Sequence, residues 1–265
     1  MALLLASLLW GTSFPATEWA LRYVSAGPII FVRFSLSAVL LTLLTRRRLS
    51  FARDTILAGV FNALAFGFQF FGQELTTASK VAIISNTFPI YTAALSPVLL
   101  GEYPTPRQVL SLLLGLGGVV LVGGAYRLSG INAGDVMNFI ASVLYALYVI
   151  YSRRATSRGD PISFTLTTSV VSSLVSLLYL PIGFRFVPHP MALLSLCWLV
   201  LFPSTLGYVL YAYGISRKGA LSSSILILST VLFGAFTSML LLGENLSPVE
   251  WVGLGLVALA ILLTA

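Results

Sequence analysis

Apolar residues fill most of the chain in long runs, and short polar or proline-containing stretches separate them. Each run is about 20 residues long, the length that a helix needs to cross the ~30 Å apolar core of a bilayer. Continuous runs of this length favour helices over the shorter, alternating strands of a membrane barrel. We therefore predict ten transmembrane helices, numbered 1 to 10, at residues 2–22, 27–45, 55–74, 79–101, 105–125, 134–153, 162–184, 190–215, 219–242 and 248–264.

The composition excludes a soluble protein. Apolar residues make up 58% of the 265 residues and charged residues 9%, whereas soluble domains average ~45–50% and ~25%. Too few polar side chains remain to cover a surface exposed to water. Ten crossings of ~20 residues use ~200 residues, which leaves no sizeable domain outside the bilayer. We expect an all-α, multi-pass protein of the cell membrane, surrounded by lipid.

Basic residues lie mainly in the connections between the predicted helices, and their placement predicts the orientation of the chain. Lys and Arg are enriched in cytoplasmic connections. An inside N-terminus puts ten basic residues on the inner side and four on the outer side, so we predict both termini in the cytoplasm. Because the basic residues lie mainly at helix ends, the net charge of +7 does not indicate that the protein binds nucleic acid. The inner set is Arg46, Arg47, Arg48, Arg53, Arg107, Arg153, Arg154, Arg158, Arg217 and Lys218, and the outer set is Arg22, Lys80, Arg127 and Arg185.

The chain contains an internal repeat. A shift of 142 residues aligns helices 4 and 5 with helices 9 and 10, and weaker matches extend to the earlier helices. We interpret residues 1–126 and 134–265 as two copies of one five-helix unit. An odd number of crossings inserts the second copy upside down, and such inverted repeats are common among secondary transporters. The aligned positions include Ala78 with Ala220, Leu99–Glu102 with Leu241–Glu244, and Pro106 with Pro248.

Four features together resemble the EamA-type ten-helix permeases of the drug/metabolite transporter superfamily. They are Trp10-Gly11 in helix 1, Arg33-Phe34 early in helix 2, the glycine-rich stretch Gly115–Gly124, and the duplicated Gly-Glu-x-x-x-Pro that follows helices 4 and 9. The resemblance covers essentially the whole chain, and the duplicated motif is its most specific part.

The resemblance implies two inverted five-helix units around a central cavity lined by helices 1, 3, 4, 6, 8 and 9. It also implies export of small metabolites, often amino acids, or of drugs, by alternating access. One position departs from symmetry, because Pro89 of helix 4 aligns with Val231 of helix 9. We therefore expect a kink in helix 4 that helix 9 does not share.

Polar and aromatic residues recur on one face of several predicted helices at spacings of three or four residues. Because one face of a helix repeats at this interval, such residues are candidates to line a cavity. The alternative is that Ser, Thr and Asn join neighbouring helices and that Tyr marks membrane interfaces. The substrate-binding candidates are Trp10, Phe14, Thr17, Asn62, Phe66, Gln69, Thr87, Tyr91, Asn138, Ser142, Tyr145, Tyr208, Tyr211, Ser229 and Phe233.

Few charged residues fall inside the predicted helices. Glu18 either pairs with Arg22 one turn later or couples transport to protons. Arg33 has three interpretations that the sequence does not rank: snorkelling to the interface, neutralising Glu18, or binding a substrate anion. Lys80, Arg217 and Lys218 either anchor the membrane edge or form an anion site. Glu102 and Glu244 end helices, and their duplication favours a structural or gating role.

The sequence lacks the signatures of an enzyme. It contains no Gly-x-x-x-x-Gly-Lys loop for ATP, and its lone His189 and Cys197 cannot build a metal site or a triad. We expect no cofactor and no metal. The main interpretation is a secondary or facilitative exporter of small amphipathic metabolites, expected to be a monomer, with an oligomer left open. The alternatives are an antiporter of phosphorylated metabolites, a channel with a continuous polar pore, and a membrane enzyme acting on lipid.

Overall fold

The computed structural model describes residues 1–124, 130–243 and 245–265, with their side chains except at positions 78, 79 and 242; Arg127 and Glu244 lie outside the described residues. Within these ranges every predicted apolar segment is helical and no strand is present. We number the helices by segment and mark interrupted ones a and b. They are α1a (Ala2–Gly11), α1b (Ser13–Leu21), α2 (Ala26–Thr45), α3 (Arg53–Leu75), α4a (Ala78–Ser85), α4b (Phe88–Leu100), α5 (Pro106–Val122), α6 (Ala133–Thr156), α7 (Pro161–Ser176), α8a (Pro190–Leu199), α8b (Tyr208–Lys218), α9a (Ala220–Ile227), α9b (Ser229–Leu242) and α10 (Pro248–Thr264).

Seven of the described helical segments are long and apolar enough to cross a membrane: α2, α3, α4, α6, α7, α8 and α9. Helices α5 and α10 are apolar but have only 17 residues each, and α1 is divided at Thr12 into two short pieces. The structure is therefore that of a multi-pass helical membrane protein, while the number of ten crossings stays a prediction.

Two predicted helices differ from the structure in detail. The predicted helix 7 is too long, because α7 ends at Ser176 and gives way to a 3₁₀ turn at Leu177–Tyr179. Pro181 and Gly183, which has a φ of +56°, follow this turn and do not fit a helix. The predicted helix 8 is too short and is not uniform, since a π-helical turn at Val200–Gly207 joins α8a to α8b.

A break in the helix, which Pro89 predicted for helix 4 alone, is present in both helix 4 and helix 9, so it is not specific to the helix that contains the proline. Helix α4 breaks at Asn86–Thr87 and α9 breaks at Leu228, which the 142-residue shift places on Asn86. Near each break, backbone N–H groups bond to the carbonyl three residues earlier. A hydroxyl side chain next to the break can donate a hydrogen bond to a backbone carbonyl that has lost its helical N–H donor. Proline is therefore not required for the break.

The duplicated Gly-Glu-x-x-x-Pro motif ends one helix and starts the next. Gly101 and Gly243 adopt left-handed φ angles of 70° and 71°, which glycine accepts without the clash of a Cβ. Four residues later a capping box opens α5 and α10, formed by Thr105 with Gln108 and by Ser247 with Glu250. A proline then occupies the first helical position, where its missing N–H costs no hydrogen bond.

The helices pack in pairs that correspond between the two halves. Helix α3 packs extensively on α6, and α8 packs on α1; likewise α4 packs on α6 and α9 on α1. Helices α5 and α10 cross closely at Gly118 and Gly253, where a Cβ on either residue would meet the other's carbonyl oxygen at 2.5–2.7 Å.

Both chain ends lie at the same end of the bundle. Leu3 packs on Gly214 near the end of α8b, and Lys218 Nζ donates to the Ala265 carbonyl at 2.7 Å. We name this the termini end. The starts of α4a and α6 lie at the opposite end.

Candidate functional site

Arg33 is buried in the middle of the bundle, two turns into α2, with 3% of its surface exposed. Its Nε donates a hydrogen bond to Ser204 Oγ at 2.9 Å. A guanidinium at such a depth is unfavourable unless other groups replace its water shell. Because the side chain points inward, the first of the three interpretations of Arg33, snorkelling to the interface, is wrong.

The π-helical turn of α8 places Ser204 beside Arg33. Pro203 within this turn has no N–H for the helix, and Thr205 Oγ1 bonds back to the Val200 carbonyl at 2.7 Å. Ser37 Oγ, one turn after Arg33, donates to the Ser204 carbonyl at 3.0 Å. π-Helical turns are rare and are often found at functional sites.

An aromatic ring packs on the guanidinium and belongs to a connected group of rings from α2, α3, α6 and α8. Arg33 Cζ lies 5.1 Å from the ring centre of Phe66, within the range of a cation–π interaction. Phe66 packs against Phe34 and Tyr145, with ring centres 5.2 Å and 6.0 Å away. Phe34 in turn lies 6.0 Å from Tyr208. The charge therefore sits among apolar ring faces and edges rather than in water.

Two hydrogen bonds from tyrosines to amides close the centre of the bundle. Tyr208 Oη donates to Asn62 Oδ1 at 3.0 Å and joins α8 to α3. Tyr145 Oη donates to Gln69 Oε1 at 2.5 Å and joins α6 to α3. We define the central site as Arg33, Asn62, Phe66, Gln69, Tyr145, Ser204 and Tyr208.

Trp10 and two further tyrosines extend the central site towards α1. Trp10 Nε1 donates to the Pro203 carbonyl at 2.9 Å, and its ring lies 5.3 Å from Tyr208 and 5.4 Å from Tyr211. Tyr148 stacks on Tyr211 at 5.6 Å, and Ser152 lies near both. The hydroxyls of Tyr148, Tyr211 and Ser152 are buried close to one another, and no other described residue bonds to them.

Arg33 has no acidic partner in the part of the chain that the structure describes. The five ion pairs found there join Arg22 to Glu18, Arg47 to Asp160, Lys80 to Asp135, Arg153 to Glu102, and Arg154 to Asp54. The interpretation that Arg33 neutralises Glu18 is therefore wrong. Glu18 instead pairs with Arg22 at 3.0 Å on the exposed face of α1b, as the first of its two interpretations predicted.

The structure brings together Trp10, Asn62, Phe66, Gln69, Tyr145, Tyr208 and Tyr211 among the predicted binding residues. Arg33 and Phe34 of α2 join them, although the resemblance did not include helix 2 among the cavity helices. In the sequence, Arg33 is distinguished by being a charged residue inside an otherwise apolar run. Ser204 was part of the polar spacing in helix 8, but nothing in the sequence indicated its contact with Arg33.

Other predicted residues join helices instead of entering the central site. Thr87 and Ser142 bond to each other at 2.9 Å, and Ser85 Oγ donates to Asn138 Oδ1 at 3.2 Å, so these four residues connect α4 to α6. Tyr91 packs its ring on the half-exposed Phe139.

The remaining predicted residues lie on α1 and α9. Ser229 Oγ bonds to the Leu226 carbonyl at the α9 break. Phe14 and Phe233 pack where α1 crosses α9, against Gly234 and Gly11 respectively. Thr17 is partly exposed on α1b.

Two ion pairs connect α4 to α6, one at each end of the bundle. At the opposite end, Lys80 Nζ lies 2.7 Å from Asp135 Oδ2, and both side chains are about nine-tenths buried. At the termini end, Arg153 Nε lies 2.7 Å from Glu102 Oε1. Arg153 also donates to the Ile215 and Ser216 carbonyls at the end of α8b.

The Glu102 carboxylate has a second partner at the termini end. Its Oε2 accepts from the Ala220 N–H at 2.8 Å, at the start of α9a. Glu102 therefore connects α4, α6 and α9, an arrangement compatible with the structural or gating role expected from the duplicated motif. Of the predicted anion contacts, Lys80 is engaged with Asp135, and Arg217 and Lys218 are exposed.

The fold and the central site define a multi-pass membrane protein with a charged, aromatic centre, a class that includes transporters. The model of the EamA-like transporter family matches residues 1–124 and 132–265, so the chain belongs to this family.

Similar proteins bear transporter names. An uncharacterized transporter of Archaeoglobus fulgidus is 24% identical, over 98% of this chain and 96% of its own. The uncharacterized transporter YyaM of Bacillus subtilis is 27% identical, over 83% and 78%. Solute carrier family 35 member F5 of Bos taurus is 31% identical, over 42% and 23%. A crystal structure covering 99% of this chain and 94% of its own has a TM-score of 0.85 at 18% identity, which shows a shared fold.

Proposed function

We propose that this protein is a secondary transporter that exports small amphipathic metabolites, either amino acids and related compounds or drugs, by alternating access. The observation that carries the proposal is the central site. It places one cation, two amides and several aromatic rings in the middle of the bundle. Such a combination suits a ligand with both a polar and an apolar part.

The proposal includes two inverted five-helix units, residues 1–126 and 134–265. Three observations support it: the breaks of α4 and α9 at equivalent positions, the equivalent helix ends and capping boxes, and the corresponding helix pairs. Five crossings per unit invert the second copy, and a site between inverted units can open to alternate sides of the membrane.

Alternating access requires that the two ends of the bundle open separately. The Lys80–Asp135 pair holds one end and the Glu102–Arg153 contacts hold the other. In the structure both contacts are formed, and four residues of the central site are buried: Arg33, Asn62, Ser204 and Tyr208. Opening one end while the other stays closed would expose the site to one side at a time.

We further propose that both termini are cytoplasmic, from the ten-to-four distribution of basic residues, and that the protein acts as a monomer. Transport is facilitative or driven by exchange. Two observations support this part of the proposal: Glu18 is exposed and paired, and the described part of the central site contains no carboxylate.

The alternatives receive less support. An antiporter of phosphorylated metabolites at Lys80 would have to break a buried ion pair, and Arg217 and Lys218 are remote from the central site. A lipid-modifying enzyme would need a group of acidic residues or histidines, and the described residues contain no group of three His, Cys, Asp or Glu that could hold a metal.

The proposal is tested by counterflow in proteoliposomes that contain the purified full-length protein. Vesicles are loaded with amino acids, amino acid amides, aromatic amines and sugar phosphates, with protein-free vesicles as the control. We expect saturable, self-exchanging flux of at least one amphipathic compound. Flux that never saturates would indicate a channel, and the absence of flux for every class would contradict the proposal.

A second arm of this experiment tests the driving force. Vesicles receive only a pH gradient, and accumulation of the transported compound against its own gradient is measured. We expect no accumulation in the wild type. Accumulation that disappears in Glu18→Gln would show proton coupling through Glu18 and overturn the exchange mechanism.

A further inference from the structure

We propose that Arg33 binds the carboxylate of the transported molecule, and that the central site therefore selects small compounds with a single carboxylate beside an apolar or aromatic group. This inference rests on the proposed function and deepens it. Neither the family nor the names of the similar proteins assign a ligand to this residue.

The guanidinium of Arg33 retains most of its hydrogen-bonding capacity. Arginine has five N–H donors, and only Nε of Arg33 bonds to a described residue, Ser204. The two terminal nitrogens form a planar fork that matches the two oxygens of a carboxylate. A buried donor set of this kind lacks the acceptors that water would give it outside the protein, and a carboxylate would supply them.

Arg153 of the same chain shows how a structural arginine is satisfied here. Its guanidinium binds the Glu102 carboxylate and two backbone carbonyls of α8. Arg33 is more buried than Arg153 but has neither a carboxylate nor a carbonyl as a partner among the described residues. The contrast favours a ligand, rather than the fold, as the counter-ion of Arg33.

The charge of the site favours a carboxylate over a phosphate. One buried guanidinium balances one negative charge, and a carboxylate carries one. A phosphate monoester carries nearly two charges at neutral pH, so one of them would stay unbalanced in a region of low dielectric. The described residues bring no second cation to Arg33.

The surroundings of Arg33 determine the other part of the ligand. The Phe66 ring lies next to the guanidinium, and the rings of Phe34 and Tyr145 pack against Phe66, while Tyr208 packs against Phe34. A ligand with its carboxylate on Arg33 would lay its remaining atoms against these rings, where an apolar or aromatic group is favoured. The buried rings of Tyr148 and Tyr211 pack against Tyr208 and each other and continue this aromatic group.

The test measures ligand binding by thermal unfolding of the purified full-length protein in detergent, independently of transport. The probes are 3-phenylpropionate, hexanoate, L-phenylalanine and L-leucine, each beside its own amide, together with phenyl phosphate. The variants are Arg33→Gln and Arg33→Lys, and Arg22→Gln on the exposed face of α1b is the matched control.

We expect at least one carboxylate to stabilise the wild type and Arg22→Gln, while its amide and phenyl phosphate do not. Loss of hydrogen bonds to a charged group corresponds to about 10- to 150-fold in affinity, so Arg33→Gln should bind the carboxylate at least 10-fold more weakly. Arg33→Lys should keep part of the affinity. Without ligand, Arg33→Gln should be about as stable as the wild type, because it removes a buried charge that has no acidic partner among the described residues, at the expense of one hydrogen bond to Ser204.

Three results would overturn the inference: no carboxylate binds, an amide or phenyl phosphate binds as tightly as the carboxylate, or Arg33→Gln binds the carboxylate like the wild type. If Arg33→Gln does not fold, the comparison of carboxylates with amides on the wild type and Arg33→Lys decides. Flux of neutral compounds only would contradict this inference but not transport. Carboxylate binding through Arg33 without flux of any compound would contradict transport but not this inference.

Discussion

Thr87 and Ser229 lie 142 residues apart and make the same hydrogen bond at the break of their respective helices. Thr87 Oγ1 donates to the Ile84 carbonyl, and Ser229 Oγ donates to the Leu226 carbonyl, each at 2.6 Å and each over three residues. Bonds of this kind occupy a carbonyl that the helix would otherwise use, and they bend helices. The two halves therefore share a hinge-like position that proline alone does not explain.

Removing these hydroxyls should affect α4 more than α9. Thr87 also bonds to Ser142 of α6, whereas Ser229 bonds only to its own helix. We expect Thr87→Val to lower the free energy of unfolding by about 1–3 kcal/mol and Ser229→Ala by about 0.5–1.5 kcal/mol. Unfolding in detergent measures both values. An equal or larger loss in Ser229→Ala would show that the Thr87–Ser142 contact contributes little.

Replacing Glu102 should weaken the termini end of the bundle. Glu102→Gln removes the charge from a contact that is less than one-third exposed on both sides, and we expect a loss of about 1–2 kcal/mol after allowance for solvent screening. Thermal unfolding measures the loss. Glu18→Gln, in the exposed pair with Arg22, serves as the control and should cost less than about 0.5 kcal/mol. Similar losses of stability in the two variants would show that the Glu102 contacts contribute no more than an exposed ion pair.

The buried pair of Lys80 and Asp135 should behave as a coupled unit. Lys80→Met alone removes the cation beside the buried Asp135, and Asp135→Asn alone removes the carboxylate beside the buried Lys80, so each should cost about 3–5 kcal/mol. The double variant should cost clearly less than the sum, with a coupling of about 0.5–3 kcal/mol. A double-mutant cycle on unfolding measures this. Additive losses would show that the two charges do not act as a unit.

The tyrosine–amide contacts of the central site should matter for transport. Tyr145→Phe leaves Gln69 without its donor, and Tyr208→Phe does the same to Asn62. We expect the apparent affinity for substrate to fall by about 5- to 150-fold in either variant. Tyr91→Phe is the matched control, because the Tyr91 ring packs on the half-exposed Phe139. Wild-type kinetics in both central variants would place the site elsewhere.

Cysteine labelling should place the two connections that flank α6 on opposite sides of the membrane. Ile131, which is 87% exposed, precedes α6, and the exposed Arg158 follows it. In a chain with Cys197→Ser, we expect an impermeant reagent to label a cysteine at position 131 from outside and one at position 158 only after lysis. Labelling of both from the same side would contradict the inverted arrangement.

The sequence predicted the positions of the helices well, because a ~20-residue apolar run must be helical in a bilayer to satisfy its backbone. It predicted the breaks poorly. Pro89 predicted a kink in helix 4 only. Both breaks contain hydrogen bonds from hydroxyls to local carbonyls, and a hydropathy profile does not show such bonds. The turn after Ser176 was missed for a similar reason, since Leu177–Tyr179 is as apolar as the helix before it.

The candidate site was predicted in part. Helical spacing identified Asn62, Gln69, Tyr145 and Tyr208, because residues on one face meet the same neighbours. The same spacing also selected Ser142 and Asn138, which face α4 instead. Periodicity shows that a face is polar but not which helix it meets. The Lys80–Asp135 pair and the contact of Arg33 with Ser204 depend on partners 55 and 171 residues away, and only the folded chain brings them together.

The backbone of the turn between α4 and α5 is shaped by neighbouring residues: a glycine in the left-handed region, a capping hydroxyl with its partner three residues on, and a proline at the first helical position. The turn between α9 and α10 repeats the glycine, the capping box and the proline. A turn built from such local contacts does not depend on which side of the membrane it faces. The side that each turn faces is then determined by the distribution of Lys and Arg in the connections.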